Sequence, residues 1–113
     1  MFESLSISAL TSALDGLSER QRAIANNIAN VNTENYSARR ILFEDALQAS
    51  IERGDGRIET ATEISREPAR QNGNNVNLDT ETLSNIDTVL RYQFAANAVS
   101  GSFSSVRTAL RTH

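Results

Sequence analysis

Large aliphatic side chains recur with a strict seven-residue period over the first 31 residues of the chain. The spacing alternates between three and four positions, and one of the eight positions is polar. This pattern is typical of a coiled-coil seam, whose apolar side chains are buried only against a partner helix. We therefore expect a chain that assembles with other helices rather than one that catalyses a reaction. The seam comprises Ile7, Leu10, Leu14, Leu17, Gln21, Ile24, Ile28 and Val31.

Length and composition limit the classes of protein that fit. The 113 residues suit one domain or a helical module with a small insert, and 5% aromatic residues make a thin core. The chain has no Cys, which excludes a disulfide framework and a thiolate metal site. No apolar run approaches the length of a membrane span, about 18 residues. No cleaved secretory signal is visible at the N-terminus, so we expect export, if it occurs, to use another route.

The first helix is expected to start near Ser4 or Ser6, either of which can cap it. Gly16 lies inside this helix and weakens it by about 1 kcal/mol relative to Ala. Asn30–Asn32 should end it, because Asn tolerates the left-handed conformation that closes many helices. Residues 1–35 thus form an N-terminal axial helix with an asparagine-rich motif.

Residues 36–78 are expected to form an irregular insert beside the long helices. The sequence predicts an extended segment over 36–41 and a short second helix over 43–51 that ends before Gly54. Residues 57–65 alternate weakly between apolar and polar types, which indicates a possible short edge strand.

A C-terminal axial helix is expected over 79–113, with Asp79 as its N-cap. It carries two neighbouring apolar stripes, interrupted at Gly101, that together form a broad apolar face. The first stripe is Leu83, Ile86, Leu90 and Phe94, and the second is Val89, Tyr92, Ala96, Val99, Phe103, Val106 and Leu110.

The simplest architecture is mainly α. The two terminal helices pair as an antiparallel, coiled-coil-like hairpin, and the insert with its short helix and possible strand lies at the side. We expect the apolar residues of both terminal helices to make the contacts between subunits. These are Leu10, Leu14, Leu17, Ile24 and Ile28 in the first helix, and Leu90, Val99, Phe103, Val106 and Leu110 in the last.

The strongest local motif follows the seam and is rich in asparagine. It reads Ala25-Asn26-Asn27-Ile28-Ala29-Asn30-Val31-Asn32-Thr33, followed by Tyr36. Asn side chains offer two donors and two acceptors, so near a packed helix end they can satisfy the backbone groups of a neighbouring segment. They can equally do no more than cap and solubilise a helix terminus. We expect Asn26, Asn27 and Asn30 to help set the packing at this helix end.

This motif resembles the N-terminal signature of the flagellar basal-body rod protein family, a helix followed by A-x-N-N-I-A-N-x-N-T-x-x-Y. The matching positions are Asn26, Asn27, Asn30, Asn32, Thr33 and Tyr36. Three later segments resemble the family members that form the proximal part of the rod. They are Phe43-Glu44-Asp45-Ala46-Leu47, Gly73-Asn74-Asn75-Val76-Asn77-Leu78-Asp79 and Leu90-Arg91-Tyr92-Gln93.

The resemblance implies a structural subunit of a helical tube in the flagellar basal body. Its terminal helices would line the tube and its middle segment would face outward. It also implies export by the flagellar type III apparatus without a cleaved signal peptide, into the periplasm where the cell has an outer membrane. The implied partners are other copies of the chain, other rod proteins, the adaptor between ring and rod, the membrane ring and the export apparatus.

Two other classes of function fit the residues less well. Arg20, Arg22, Arg39 and Arg40 surround two helix-like pieces and could belong to a helix-turn-helix that binds DNA, but the net charge of −3 opposes binding to a polyanion. An enzyme is not indicated, because the single His is the last residue and no phosphate-binding loop is present. We expect no cofactor, metal, nucleic acid or small-molecule substrate.

Overall fold

The computed structural model describes residues 2–111, and within them the side chains of all but residues 2–4, 103 and 106. The first helix, α1, spans Phe2–Ala29. The expected start at Ser4 or Ser6 is wrong, because no Gly or Pro interrupts the helical backbone between Phe2 and Ser6. A turn at residues 30–32 ends α1, and the left-handed residue lies later than expected, at Asn35 with φ 59°.

The insert holds a two-stranded antiparallel sheet and a short helix. Strand β1 spans Arg39–Leu42, α2 spans Glu44–Arg53 and β2 spans Ala61–Ile64. The register pairs Arg39 with Ile64 and Leu42 with Ala61. The strand expected over 57–65 is therefore present but shorter, and every residue of β2 is exposed, as suits an edge strand.

The last helix, α3, spans Leu78–Arg111. Asn77, and not the expected Asp79, caps it, because its Oδ1 accepts the N–H groups of Asp79 (3.0 Å) and Thr80 (3.3 Å). The prediction placed the cap two residues too late.

The two long helices pack side by side and run antiparallel. Asn27, near the end of α1, contacts Glu81, near the start of α3. Further from this end, Glu44 bridges Arg20 of α1 and Arg91 of α3. From the first contact to the second, the residue number falls from 27 to 20 in α1 and rises from 81 to 91 in α3, as expected for antiparallel helices. The predicted mainly-α fold, an antiparallel hairpin of terminal helices with a small insert, is confirmed.

On the side of α3 that packs on α1, the fully buried positions among the described side chains are polar or small. Glu81, Thr88 and Ala95, spaced seven residues apart, are its buried positions. The first predicted stripe of α3 lies on the opposite side of the helix, since 100° separates successive residues. Its four side chains, Leu83, Ile86, Leu90 and Phe94, are between 53% and 77% exposed. We call these four residues the α3 stripe.

A small apolar core joins α1 to the insert. Leu17, Ile41 and Phe43 are buried together. Gly16 lets the Phe43 ring approach α1, because a Cβ at this position would lie 2.7 Å from two ring atoms. Gly16 is thus a contact point between α1 and the insert as well as a weak position in the helix.

Gly16→Ala is expected to lower the free energy of unfolding by about 1 kcal/mol. Overpacking against Phe43 costs about 1–3 kcal/mol and outweighs the gain of about 1 kcal/mol in helix propensity. Gly101→Ala is the matched control: a Cβ there meets nothing within 4 Å, so the same change should stabilise α3 by about 0.5–1 kcal/mol. Urea unfolding followed by circular dichroism measures both. A stabilising Gly16→Ala would contradict this packing.

Candidate functional site

Polar side chains, two of them asparagines, occupy most of the fully buried positions among the described residues. Among the described side chains, the largest with less than 2% exposure are Val76, Asn27, Asn74, Thr88 and Ser50, and four of these five are polar. None of the buried side-chain nitrogen or oxygen atoms in the described part lacks a hydrogen-bond partner. Since unpaired polar groups are costly to bury, such a network stabilises one specific geometry. We call Asn27, Asn74 and Asn75 the asparagine joint.

Asn27 connects three elements through a single carboxamide. Its Oδ1 accepts the backbone N–H of Arg39 (3.0 Å) and the Tyr36 hydroxyl (3.3 Å). Its Nδ2 donates to the Arg39 carbonyl (2.9 Å) and to Oε1 of Glu81 (3.1 Å). The amide pairs with both backbone groups of Arg39 as a neighbouring strand would. Asn27 therefore closes the outer edge of β1 and attaches it to α1 and α3.

Arg20 extends this attachment two residues along β1. Its Nη2 donates to the Ile41 carbonyl at 2.7 Å, and its guanidinium lies 4.7 Å from the centre of the Phe43 ring. The same guanidinium binds Glu44 through both terminal nitrogens, at 2.8 and 2.6 Å. These hydrogen bonds lower the pKa of the Glu44 carboxyl. Arg91 of α3 lies 3.8 Å from Glu44, so one carboxylate links all three helices.

Glu81 is the acidic partner of the joint and is only 7% exposed. Burial raises the pKa of its carboxyl, and the hydrogen bond from Asn27 opposes this shift in part. The position in the first turn of α3 also suits a carboxylate, because the helix dipole is positive there.

The Asn74 side chain binds the turn that follows α1. Its Nδ2 donates to the carbonyls of Asn30 and Thr33, each at 2.8 Å. Its Oδ1 accepts the N–H of Val76 and a guanidinium N–H of Arg70, each at 2.8 Å. These two carbonyls belong to the turn that follows α1, and Asn74 lies 44 residues away from Asn30 in sequence, so the bonds hold this turn against a distant loop.

Asn75 fastens the same loop to the sheet. Its Oδ1 accepts the N–H of Ala38 (2.7 Å), and its Nδ2 donates to the carbonyls of Ser65 (3.0 Å) and Glu67 (3.2 Å). Together with Asn27 and Asn74, it fixes the end of α1, strand β1, the segment that follows β2 and the start of α3 in one arrangement.

The remaining residues of the asparagine-rich motif take different positions. Asn30 donates to the Asn26 carbonyl (2.8 Å) and accepts the Thr33 hydroxyl (3.0 Å), which closes the turn locally. Asn26 and Asn32 are exposed, and in the described part neither side chain makes a hydrogen bond. Within the motif, Asn27 is therefore buried, Asn30 and Thr33 close a local turn, and Asn26 and Asn32 are exposed.

The residues predicted to pack between subunits are spread over the hairpin. Leu17 and Ile24 are buried within the chain, whereas Leu10, Leu14, Ile28 and Val99 are half-buried. Leu90 and Leu110 are exposed, at 61% and 74%. The side chains of Phe103 and Val106 lie outside the described residues.

Sequence reasoning missed Asn74 and Asn75 as members of the joint, and Arg70 and Glu81 as their hydrogen-bond partners. The Gly73–Asp79 segment was noticeable for its asparagines, but periodicity carries no information about a partner 44 residues away. Within the described residues, no group of three or more acidic or His side chains is arranged to hold a metal ion. No helix of residues 2–111 is both long and apolar enough to cross a membrane.

Comparisons with known proteins identify the family of the chain. The family described as "Flagella basal body rod protein" matches residues 7–36, which run from the first seam residue to Tyr36. The chain is 30% identical to flagellar basal body rod protein FlgB of Bacillus subtilis (strain 168), over 89% of both chains. It is 29% identical to the protein of the same name from Escherichia coli (strain K12), over 88% of both. The chain therefore belongs to the flagellar basal body rod protein family and is FlgB-like.

Proposed function

We propose that the chain is a structural subunit of the proximal rod of the bacterial flagellar basal body. Its terminal helices polymerise with those of neighbouring subunits, and the resulting shaft transmits torque. The observation that supports this best is the α3 stripe: four large apolar side chains stand in a row on α3, and nothing in the described part of the chain covers them. Apolar rows of this kind mark sites of protein association.

The asparagine joint supports a mechanical role. A shaft that transmits torque needs subunits whose helices keep a fixed angle to each other. Here buried hydrogen bonds hold the end of α1, the sheet and the start of α3 together at the same place. Satisfied buried networks rigidify a fold and specify one arrangement. We infer that the joint sets the angle between the hairpin and the insert within the rod.

The partners of this function are other copies of the chain and other rod proteins. We also propose contacts with the membrane ring, with the adaptor between ring and rod, and with the type III export apparatus that delivers the subunit. A catalytic role is not proposed. The DNA-binding alternative gains no support, because Arg20 is engaged with Glu44 and Ile41 within the chain and is not presented on a free recognition helix.

Leu90→Asp tests the assembly surface without disturbing the fold. Because Leu90 is 61% exposed, the isolated variant should keep the circular dichroism spectrum and unfolding midpoint of the parent. A carboxylate in a packed subunit interface should weaken association by about 2 kcal/mol or more, roughly 30-fold. We expect normal export, loss of the subunit from purified basal bodies, and non-motile cells.

Asn85→Asp is the matched control for this experiment. It adds the same charge to an exposed position of the same helix, away from the α3 stripe. This variant should enter the rod and support swimming. Motile cells that carry Leu90→Asp in their basal bodies at the parental level would contradict the proposed function.

A further inference from the structure

The loop that carries Asn74 contains a chemically labile dipeptide. Among all the asparagines of the sequence, only Asn72 is followed by glycine. In an Asn-Gly pair the backbone nitrogen of the glycine can approach the asparagine carboxamide closely, because the glycine has no side chain to obstruct it. Every other asparagine precedes a residue with a side chain, and most of these side chains are large or branched. Asn72 is therefore the asparagine at which attack by the next backbone nitrogen is least hindered.

The conformation of the loop explains both residues of this pair. Gly73 has a φ of 80°, in the left-handed region that favours glycine, and a Cβ at this position would clash with the Asn35 side chain. The Asn72 carboxamide oxygen accepts the backbone N–H of Asn74 at 3.1 Å. This bond shapes the loop from which Asn74 binds the turn that follows α1. The labile pair thus results from the geometry that the asparagine joint requires.

We propose that Asn72 is a deamidation site that is open in the extended chain and closed in the folded subunit. The Gly73 nitrogen, after losing its proton to a solvent base, attacks Cγ of Asn72. The new C–N bond closes a succinimide ring, and the Cγ–Nδ2 bond breaks with release of ammonia as the leaving nitrogen takes up a proton from solvent. Water then opens the ring, at Cγ to give aspartate or at the main-chain carbonyl to give isoaspartate. The net reaction consumes one water, releases one ammonia and transfers no electrons.

Three hydrogen bonds oppose ring closure in the folded loop. The Gly73 N–H donates to the Arg70 carbonyl at 2.8 Å, so removal of its proton also breaks a hydrogen bond. The N–H of Asn74 fixes the Asn72 carboxamide, and the Asn72 main-chain carbonyl accepts the Asn35 N–H at 2.9 Å. Ring closure requires rotation about bonds on both sides of the Asn72 Cα, which these two hydrogen bonds resist. The reaction therefore requires a local opening of the loop.

Isoaspartate at this position would disrupt the asparagine joint. The main chain would run through the former side chain and gain one carbon atom after the Cα of residue 72. The former main-chain carbonyl, which accepts the Asn35 N–H, would become a carboxylate outside the main chain. Asn74 would then be displaced from the carbonyls of Asn30 and Thr33, which it binds at 2.8 Å. A chain that remains extended for long would therefore lose the contact that holds the turn after α1.

Mass spectrometry of the subunit in two states tests this inference, which rests on the proposed function because the folded subunit is taken from basal bodies. One sample of purified basal bodies is incubated at neutral pH in buffer, and a second in guanidinium chloride, which unfolds the chain. Digestion with pepsin at acid pH stops the reaction, and fragmentation locates each amide that has become a carboxyl group. We expect conversion of Asn72 to both aspartate and isoaspartate in the unfolded sample. In the folded sample it should be at least about tenfold slower, which corresponds to an opening free energy of about 1.4 kcal/mol or more.

Asn85 is the internal control, and Asn72→Ser is the matched variant. Asn85 is exposed and precedes Ile86, so it should stay unconverted in both samples over the same time. Asn72→Ser keeps an oxygen that can accept the Asn74 N–H but has no amide to lose. This variant should enter basal bodies like the parent and keep its mass in guanidinium chloride.

The outcomes separate the site, its protection and the proposed function. Equal conversion of Asn72 in the two samples would overturn the protection by the loop. No conversion in guanidinium chloride, conversion of Asn85 as fast as that of Asn72, or aspartate without isoaspartate would overturn the site. Basal bodies without the subunit would refute the proposed function instead, and the same comparison would then be made on the purified full chain with and without guanidinium chloride.

Discussion

Asn27→Asp is expected to lower the free energy of unfolding by about 3–5 kcal/mol, although the two side chains have nearly the same shape. The Asn27 amide donates to the Arg39 carbonyl and to Glu81, and an ionised Asp can donate to neither. The change also buries a second carboxylate against Glu81, at a position that is 1% exposed. Unpaired buried charges cost several kcal/mol. Urea unfolding at neutral pH measures the loss.

Asn26→Asp is the control, because it makes the same chemical change one residue away. Asn26 is exposed, so this variant should stay within about 0.5 kcal/mol of the parent. Glu81→Gln in the Asn27→Asp background should recover part of the loss, since the introduced amide can donate to the introduced carboxylate. The loss should also shrink as the pH falls, because one proton shared between the carboxylates removes their repulsion. Equal stability of Asn27→Asp and Asn26→Asp would refute the joint.

The sequence was sufficient to predict the elements whose residues repeat. The seam of α1 predicted a long helix from its alternating spacing, and the two apolar stripes predicted a second one. Helical spacing and the glycine at position 54 predicted the short helix that ends before it. In the structure, Gly54 has a φ of 90°. These features are local, so a single segment contains the information that specifies them.

The contact between the two long helices could not be predicted in the same way. The apolar stripes of α3 did not indicate which residues would be fully buried against α1, and these are Glu81, Thr88 and Ala95. A short polar side chain is compatible with burial only if a specific partner satisfies it, and that partner lies in another segment. Because Glu81, Thr88 and Ala95 occupy the side of α3 that packs on α1, the α3 stripe lies on the opposite side of the helix.

Gly16 shows a similar limit. In the sequence it is a weak point within a helix, because glycine lacks helix propensity. In the structure it is the place where the Phe43 ring meets α1. Only the position of the insert distinguishes these two roles, and that position depends on Arg20 and the asparagine joint.

The proposed mechanical role is consistent with where the rigid and the exposed apolar parts of the subunit lie. Buried polar contacts concentrate at the end of α1 and the start of α3. The α3 stripe begins within the next turns of α3. A neighbour that packs on the stripe would therefore load the helix close to its fixed end, where the joint passes the force to α1 and to the sheet.

Asn74→Ala is expected to lower the free energy of unfolding by about 2–4 kcal/mol. Truncation leaves the N–H of the buried Val76 without its side-chain partner. It also removes one of the two donors at the carbonyls of Asn30 and Thr33, which keep only the N–H groups of Thr33 and Tyr36. Each buried group left unpaired costs about 1–3 kcal/mol. The loss of stability should also be local, because the contact that is removed is the one between the Asn74 loop and the end of α1.

Amide hydrogen exchange distinguishes this local release from a general loss of stability. In Asn74→Ala, protection should fall about 30-fold or more for residues 30–36 and 74–76, and less for the middle of α1. Asn32→Ala is the matched control: Asn32 is exposed and makes no side-chain hydrogen bond within the described residues, so it should stay within about 0.5 kcal/mol of the parent. Uniform loss of protection along α1 would show that Asn74 supports the whole helix pair rather than its end. Unchanged exchange at residues 30–36 would show that the loop does not hold α1, and the rigid joint that we propose for torque transmission would have to lie elsewhere in the hairpin.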